Sequence, residues 1–215
     1  MTLSEMECRI LAALAEKEIA TPEYYPMTVK ALTAACNQKN NRNPVVSYAE
    51  PDVETCLEAM RFKNLVWQVN PAGARVSKYE HNLIKTYQLD KQELILLCEL
   101  MLRGPQTPAE LKKNASRLFP FSHMIQIETA LKNLADETRG PLVLTLPRQP
   151  GQKEERIAHL LCGPIDLEAF EAAATSRHTP ISHGSGMETL LEEIAQLRSE
   201  LAQLREEFEA FKQQF

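Results

Sequence analysis

One local order of helix and strand signals occurs twice along this chain, and that duplication confines the fold more tightly than any single motif. In the first copy Ser4 with Glu7 forms a capping box, and Leu3 and Cys8 stand where a hydrophobic staple would sit. Ile10, Leu11, Leu14 and Ala15 then fall on one helical face. A second helix opens at Thr28 and runs through Val29, Leu32 and Ala35 to Cys36, with Asn37 as its C-cap. A third is expected from Glu50 to Lys63, where Val53, Leu57 and Met60 keep helical spacing. The β-patterned runs Leu65–Val69 and Arg75–Tyr79 follow, parted by the turn residues Asn70, Pro71, Ala72 and Gly73.

The second copy begins where Asp90 and Glu93 cap a helix carrying Leu94, Leu97, Cys98 and Met101, which stops at Gly104 and Pro105. Thr107, Pro108 and Glu110 combine a capping box with proline in the first turn, and that helix is expected to reach Leu118. Ser122 opens a third helix through Ile127, Leu131 and Leu134. Leu142–Leu146 and Ile157–Leu161 then flank a long turn, Pro147–Gln152. The copies are offset by about eighty residues, the size of a small domain. Three helices followed by a hairpin is the winged-helix order. The expected fold is therefore mainly α with small β-hairpins, in two winged-helix (helix-turn-helix type) domains, 1–85 and 86–174. The second ends in a short trailing helix, Asp166–Ala174, and residues 175–186 have the composition of a flexible linker.

From residue 187 the apolar residues follow a seven-residue repeat. Met187, Ile194, Leu201, Phe208 and Phe215 take position a, and Leu190, Leu197, Leu204 and Phe211 take d. Glu193, Glu200 and Glu207 at g would face Arg198, Arg205 and Lys212 at e of a parallel partner. All three pairs are opposite in sign, whereas an antiparallel pair would set like charges together. Residues 187–215 are thus read as a parallel coiled coil and the protein as a homo-oligomer, dimer or trimer.

Charge and composition narrow the function. The net charge is −5, but residues 1–85 carry ten basic and ten acidic side chains, 86–165 ten and nine, and 166–215 four and ten. The acidity lies in the tail, and neither repeat shows the basic excess typical of tight nucleic-acid binding. Five dispersed cysteines without a C-x-x-C pair read as reduced core thiols of a cytoplasmic protein. The amino terminus does not resemble a signal peptide, and no apolar run approaches a membrane span. No Ser-His-Asp order, G-x-S-x-G, H-E-x-x-H or phosphate-cradling glycine loop is present, His178 and His183 reading as solvated linker residues. The expectation is a protein that is not an enzyme and carries no cofactor or metal.

Two partner classes remain open: duplex DNA, which the winged-helix analogy puts first, and, as the alternative, another protein docked by a scaffold. On the third helix of the first repeat, Asp52, Glu54, Thr55 and Glu58 point outward with Arg61 as the only cation, which disfavours phosphate contact. The second repeat offers the DNA-binding candidates Lys112, Lys113 and Arg117, then His123, Gln126, Thr129 and Lys132, and Arg148 and Lys153 on the wing. Glu154 and Glu155 dilute the wing, and a solvated mixed-charge surface explains the same residues. The polar loop Asn37–Asn43, including Gln38, Lys39 and Arg42, is longer than a tight turn requires; it reads equally as solvated chain or as an interaction surface. Trp67 and Tyr79 read as hairpin packing in preference to a base-stacking platform.

Four stretches resemble a known family: LAEKEIATPEYYPMTVKALTAACNQKNNRNPVV, ARVSKYEH, LMLRGPQTPAELKKNASRL and LPRQPGQKEERIAHLLCG. They are similar to the YceH-like family of uncharacterised bacterial proteins, from about Leu3 to Gly163. The resemblance implies tandem winged helices and brings no activity, ligand or catalytic residue. Turn and cap chemistry accounts for Pro22, Pro26, Pro105 and Pro108 in the shared pattern. It does not account for Glu16, Lys17 and Glu18.

Overall fold

A computed structural model describes residues 1–70, 76–149, 151–167 and 170. Its helices are α1 (Glu5–Ala20), α2 (Val29–Cys36), α3 (Glu50–Phe62), α4 (Leu83–Tyr87), α5 (Lys91–Arg103), α6 (Pro108–Ala115) and α7 (Met124–Leu134). The strands are β1 (Val66–Val69), β2 (Lys78–His81), β3 (Val143–Leu146) and β4 (Arg156–His159). The described chain is thus mainly helical with two small antiparallel hairpins, β1–β2 and β3–β4. The coiled-coil positions Met187–Phe215, the linker 175–186, most of the trailing helix and the wing turn 71–75 lie outside the described residues.

Side chains near four helix starts explain where those helices begin. Ser4, Asp90 and Thr107 each accept from the backbone N–H three residues on, and Glu7, Glu93 and Glu110 reach back to the capping residue's own N–H. Thr28 caps α2 by accepting from Ala31 N–H at 3.3 Å. Gly104, at φ +76°, ends α5 in a conformation that a side chain would oppose. Several boundaries differ from the sequence expectation. Helix α6 ends at Ala115, three residues early, and α7 is capped by His123 where Ser122 was expected. Strand β2 begins at Lys78, three residues after Arg75, and α4 was not foreseen because it has only five residues.

The duplication extends to the backbone pairing. Met27, just before the α2 cap, exchanges both backbone hydrogen bonds with Tyr79 on β2, at 3.1 and 2.7 Å. Gln106, just before the α6 cap, does the same with Ile157 on β4, at 3.0 and 2.8 Å. Each hairpin therefore gains a one-residue third strand that ties it to the entrance of the second helix.

Residues 1–167 form one compact unit. Its centre is the packing of α1 against α5, each buried over ten successive residues, Glu7–Glu16 and Glu93–Leu102. A helix buried on all sides belongs to the middle of a core, so both repeats share one apolar interior. The Cys98 thiol donates to the Ala12 carbonyl across this contact at 3.2 Å.

Candidate functional site

The central helices carry charge as well as apolar side chains, and the structure gathers that charge where the repeats meet. Glu16 of α1 accepts from Arg42 and from Arg117, each at 2.5 Å. Arg117 also reaches Glu99 of α5 at 2.5 Å, and Glu99 pairs with Arg103 at 3.0 Å. The result is an alternating row, Arg42–Glu16–Arg117–Glu99–Arg103. Each repeat supplies one glutamate from its first helix and one arginine from the chain after its second, and the end of α5 adds Arg103. The side chains of Arg42, Glu16 and Glu99 are at most 2% exposed. Arg42 is further held by the Ala35 carbonyl and by Gln38 Oε1, and Arg103 donates to Asn41 Oδ1.

The two carboxylates respond in opposite directions. Burial alone would push Glu16 up, but its hydrogen bond to Arg42 and the charges of Arg42 and Arg117 outweigh it and hold the group below the usual carboxylate range. Burial dominates at Glu99, which lies above that range despite Arg117 and Arg103. Glu18, two residues on, pairs with His81 on β2 at 2.7 Å. Glu16 and Glu18 thus acquire the physical account that cap and turn chemistry could not supply. Lys17 contributes its carbonyl, which accepts the Thr21 N–H at the end of α1.

The loop Asn37–Asn43 is neither free nor idle. Asn37 exchanges hydrogen bonds with the Tyr48 backbone at 2.9 and 2.8 Å, Asn43 N–H donates to the Leu102 carbonyl, and Arg42 is buried. Only Lys39 of the four interaction-loop candidates is exposed. The loop is long because it crosses to α5 and delivers Arg42 to Glu16.

The DNA-binding candidates do not form one surface of equivalent groups. Arg117 is doubly ion-paired, Gln126 Oε1 accepts from the Ser122 and His123 N–H groups, and Lys112 donates to the Ser122 carbonyl at 3.3 Å. His123, Thr129, Lys132 and Lys113 are exposed, as are Arg148 and Lys153 on the wing. Lys132, Arg148 and Lys153 line a cavity of about 620 Å³ between α6, α7 and the β3–β4 hairpin. Its apolar walls come from Met124, Leu131, Val143 and Ile157, and Glu128, Glu154 and Glu155 stand among the cations. In the first repeat Tyr79 is buried, whereas Trp67 is partly exposed beneath the Lys85 ammonium, 4.4 Å from the ring centre.

Sequence reasoning noted Glu16 without a role and missed Glu99 and Arg103, because their partners lie 18 to 26 residues or a whole repeat away, apart from the Glu99–Arg103 pair four apart on one helix. It also missed the approach of Cys8, His159 and Cys162. The local signal for the latter was the H-x-x-C spacing of His159 and Cys162.

The family described as "Protein of unknown function, DUF480" matches residues 3–152. A UPF0502 protein of Geobacter sulfurreducens is 45% identical over 216 residues, covering 99% of this chain and 98% of its own. A UPF0502 protein of Geotalea uraniireducens is 44% identical, covering 100% and 99%. A UPF0502 protein of Vibrio vulnificus is 41% identical, covering 92% and 96%. The first two alignments run on past the family match into the heptad segment. Among the described residues no helix is long and apolar enough to cross a membrane. The chain belongs to the DUF480 family, the UPF0502 proteins, a bacterial family of unknown function.

Proposed function

We propose that this protein is a non-catalytic oligomeric scaffold of tandem winged helices whose second repeat docks a protein segment. The observation that carries the reading is the groove between α6, α7 and the β3–β4 hairpin. Its walls are apolar, and its lining also carries Lys132, Arg148 and Lys153 together with Glu128, Glu154 and Glu155. An apolar strip bordered by both signs suits a peptide with apolar anchors and mixed flanking charge. A phosphate backbone would meet the three carboxylates in the same groove. The internal engagement of Arg117 and Gln126 removes two of the best groups for a duplex.

The heptad residues Met187, Leu190, Ile194, Leu197, Leu201, Leu204, Phe208 and Phe211 would join chains in parallel and multiply a weak groove affinity. Ending the chain at residue 186 should then convert the oligomer to a monomer by light scattering, and an unchanged mass would remove the coiled coil from the reading.

DNA binding is the second reading, favoured by the exposure of Lys113, Lys132, Arg148 and Lys153. One pair of measurements separates the two. Full-length protein is titrated against mixed duplex DNA by anisotropy over a salt series, and panned against a random peptide library. The scaffold reading expects no salt-dependent duplex binding, together with enriched apolar peptides that are lost on Ala135→Arg at the groove edge. Duplex affinity falling steeply with salt, and no enriched peptide, would replace it with the DNA reading.

A further inference from the structure

Outside the groove and the charge row, one cluster brings three metal-binding groups together from distant parts of the chain. Cys8 lies in the second turn of α1, His159 ends β4, and Cys162 sits in the turn that follows. The two sulfurs are 3.4 Å apart, and they and a His159 ring nitrogen all lie within 4.8 Å of one another. We infer that Cys8, His159 and Cys162 form a binding site for one thiophilic metal ion, Zn²⁺, with its fourth position open.

The local backbone builds this approach. Leu3 N–H donates to the Leu161 carbonyl at 2.8 Å, laying the start of the chain beside the end of the second hairpin. Gly163 N–H closes a turn onto the Leu160 carbonyl at 3.0 Å, and Gly163 adopts φ +109°, a conformation that favours glycine. That turn presents Cys162 to Cys8.

The spacing fits coordination better than a disulfide. Zn–S bonds of about 2.3 Å in a tetrahedron set two sulfurs ~3.8 Å apart, close to the observed 3.4 Å. A disulfide needs about 2.05 Å and would do nothing for the histidine. His159 Nδ1 is buried and has no hydrogen-bonding partner among the described residues. A buried polar atom without a partner marks an unfilled role. Two sulfurs and an imidazole are a zinc ligand set, and three protein ligands leave one position for water or an exogenous group. That position has room, because all three residues line a cavity of about 270 Å³ together with Glu5, Arg9 and Tyr48. Binding exchanges the two thiol protons, released to solvent, for two metal–sulfur bonds, with no change of oxidation state. The ion would clasp the first helix of one repeat to the hairpin of the other.

The test is Co²⁺ titration of the reduced full-length protein, freed of metal with a chelator. One equivalent per chain is expected, with thiolate-to-cobalt charge transfer in the near ultraviolet, tetrahedral visible bands, and bleaching by Zn²⁺. Cys162→Ser is the decisive variant, since that residue is exposed and its loss leaves the core intact. It and His159→Gln should each weaken binding on the order of 100-fold or more, while Cys56→Ser and the pair His178→Ala, His183→Ala leave it unchanged. Absence of the charge-transfer band from the reduced wild type would overturn the site. So would its survival in Cys162→Ser, or a Cys8–Cys162 disulfide that forms in glutathione buffer despite saturating Zn²⁺.

Discussion

The two repeats share their element order but use their connecting chain differently. Between α2 and α3 the chain runs inward across the junction, and its arginine, Arg42, is fully buried against Glu16. Between α6 and α7 the chain stays near the surface, and its arginine, Arg117, keeps 27% of its side chain exposed while bridging Glu16 and Glu99. The outward residues of the third helices also diverge, acidic on α3 and mixed on α7. The difference teaches that one repeat has given its loop to internal structure, while the other keeps a groove at its surface. Similar local signals therefore do not imply similar work.

The sharpest way to break this comparison is to remove each buried glutamate in turn. Glu16→Ala strands Arg42 in the interior without a counter-charge, and urea denaturation should show a loss of about 3–5 kcal/mol. Glu99→Ala should cost less than half of that, because Arg117 keeps Glu16 and both Arg117 and Arg103 reach solvent. Equal losses would mean that the two ends of the charge row are energetically equivalent.

Acid should separate the same pair with opposite signs. Glu16 is held below the ordinary value of about 4.3 in the folded chain, so the unfolded chain takes up its proton first. Its contribution is present above that value and is lost as pH falls below it and through the lower folded value. Glu99 lies above the ordinary range, so its effect on stability declines as pH rises from about 4.3 towards its folded value. Denaturation between acid and neutral pH should therefore show a shallower acid loss in Glu16→Gln and a steeper one in Glu99→Gln. The same slope in both variants would contradict the opposed shifts.

The smallest contrast lies at the matched caps. Thr28 and Thr107 hold equivalent places, but only Thr107 has a reciprocal glutamate, Glu110. Replacing Thr107 by alanine should cost about 1 kcal/mol, and Thr28→Ala somewhat less, by thermal or chemical denaturation. A larger loss at Thr28 would show that the pairing of Met27 with Tyr79 depends on that cap.

Much of the helical framework was legible because its causes are short-range. Ser4, Asp90 and Thr107 announce helix starts through partners three residues away, and Val53, Leu57 and Met60 mark a buried face by spacing alone. Helix α4 escaped because five residues hold too little periodicity, and β2 was placed early because composition alone does not mark where pairing starts. The candidate surfaces were less legible. Arg42 read as an exposed cation and Arg117 as an unpaired one because a sequence shows charge without showing its counter-charge.

By itself, the sequence determined the duplicated order, most helix boundaries and the balance of charge in each repeat. These follow from caps, period and composition, which act over a few residues. Only the tertiary structure decided that α1 and α5 share one core, that Arg117 bridges Glu16 and Glu99, and that Cys8 meets Cys162 across 154 positions. Those outcomes depend on which distant groups the packing brings within hydrogen-bonding or contact distance, and burial then makes each such meeting count far more than it would in water.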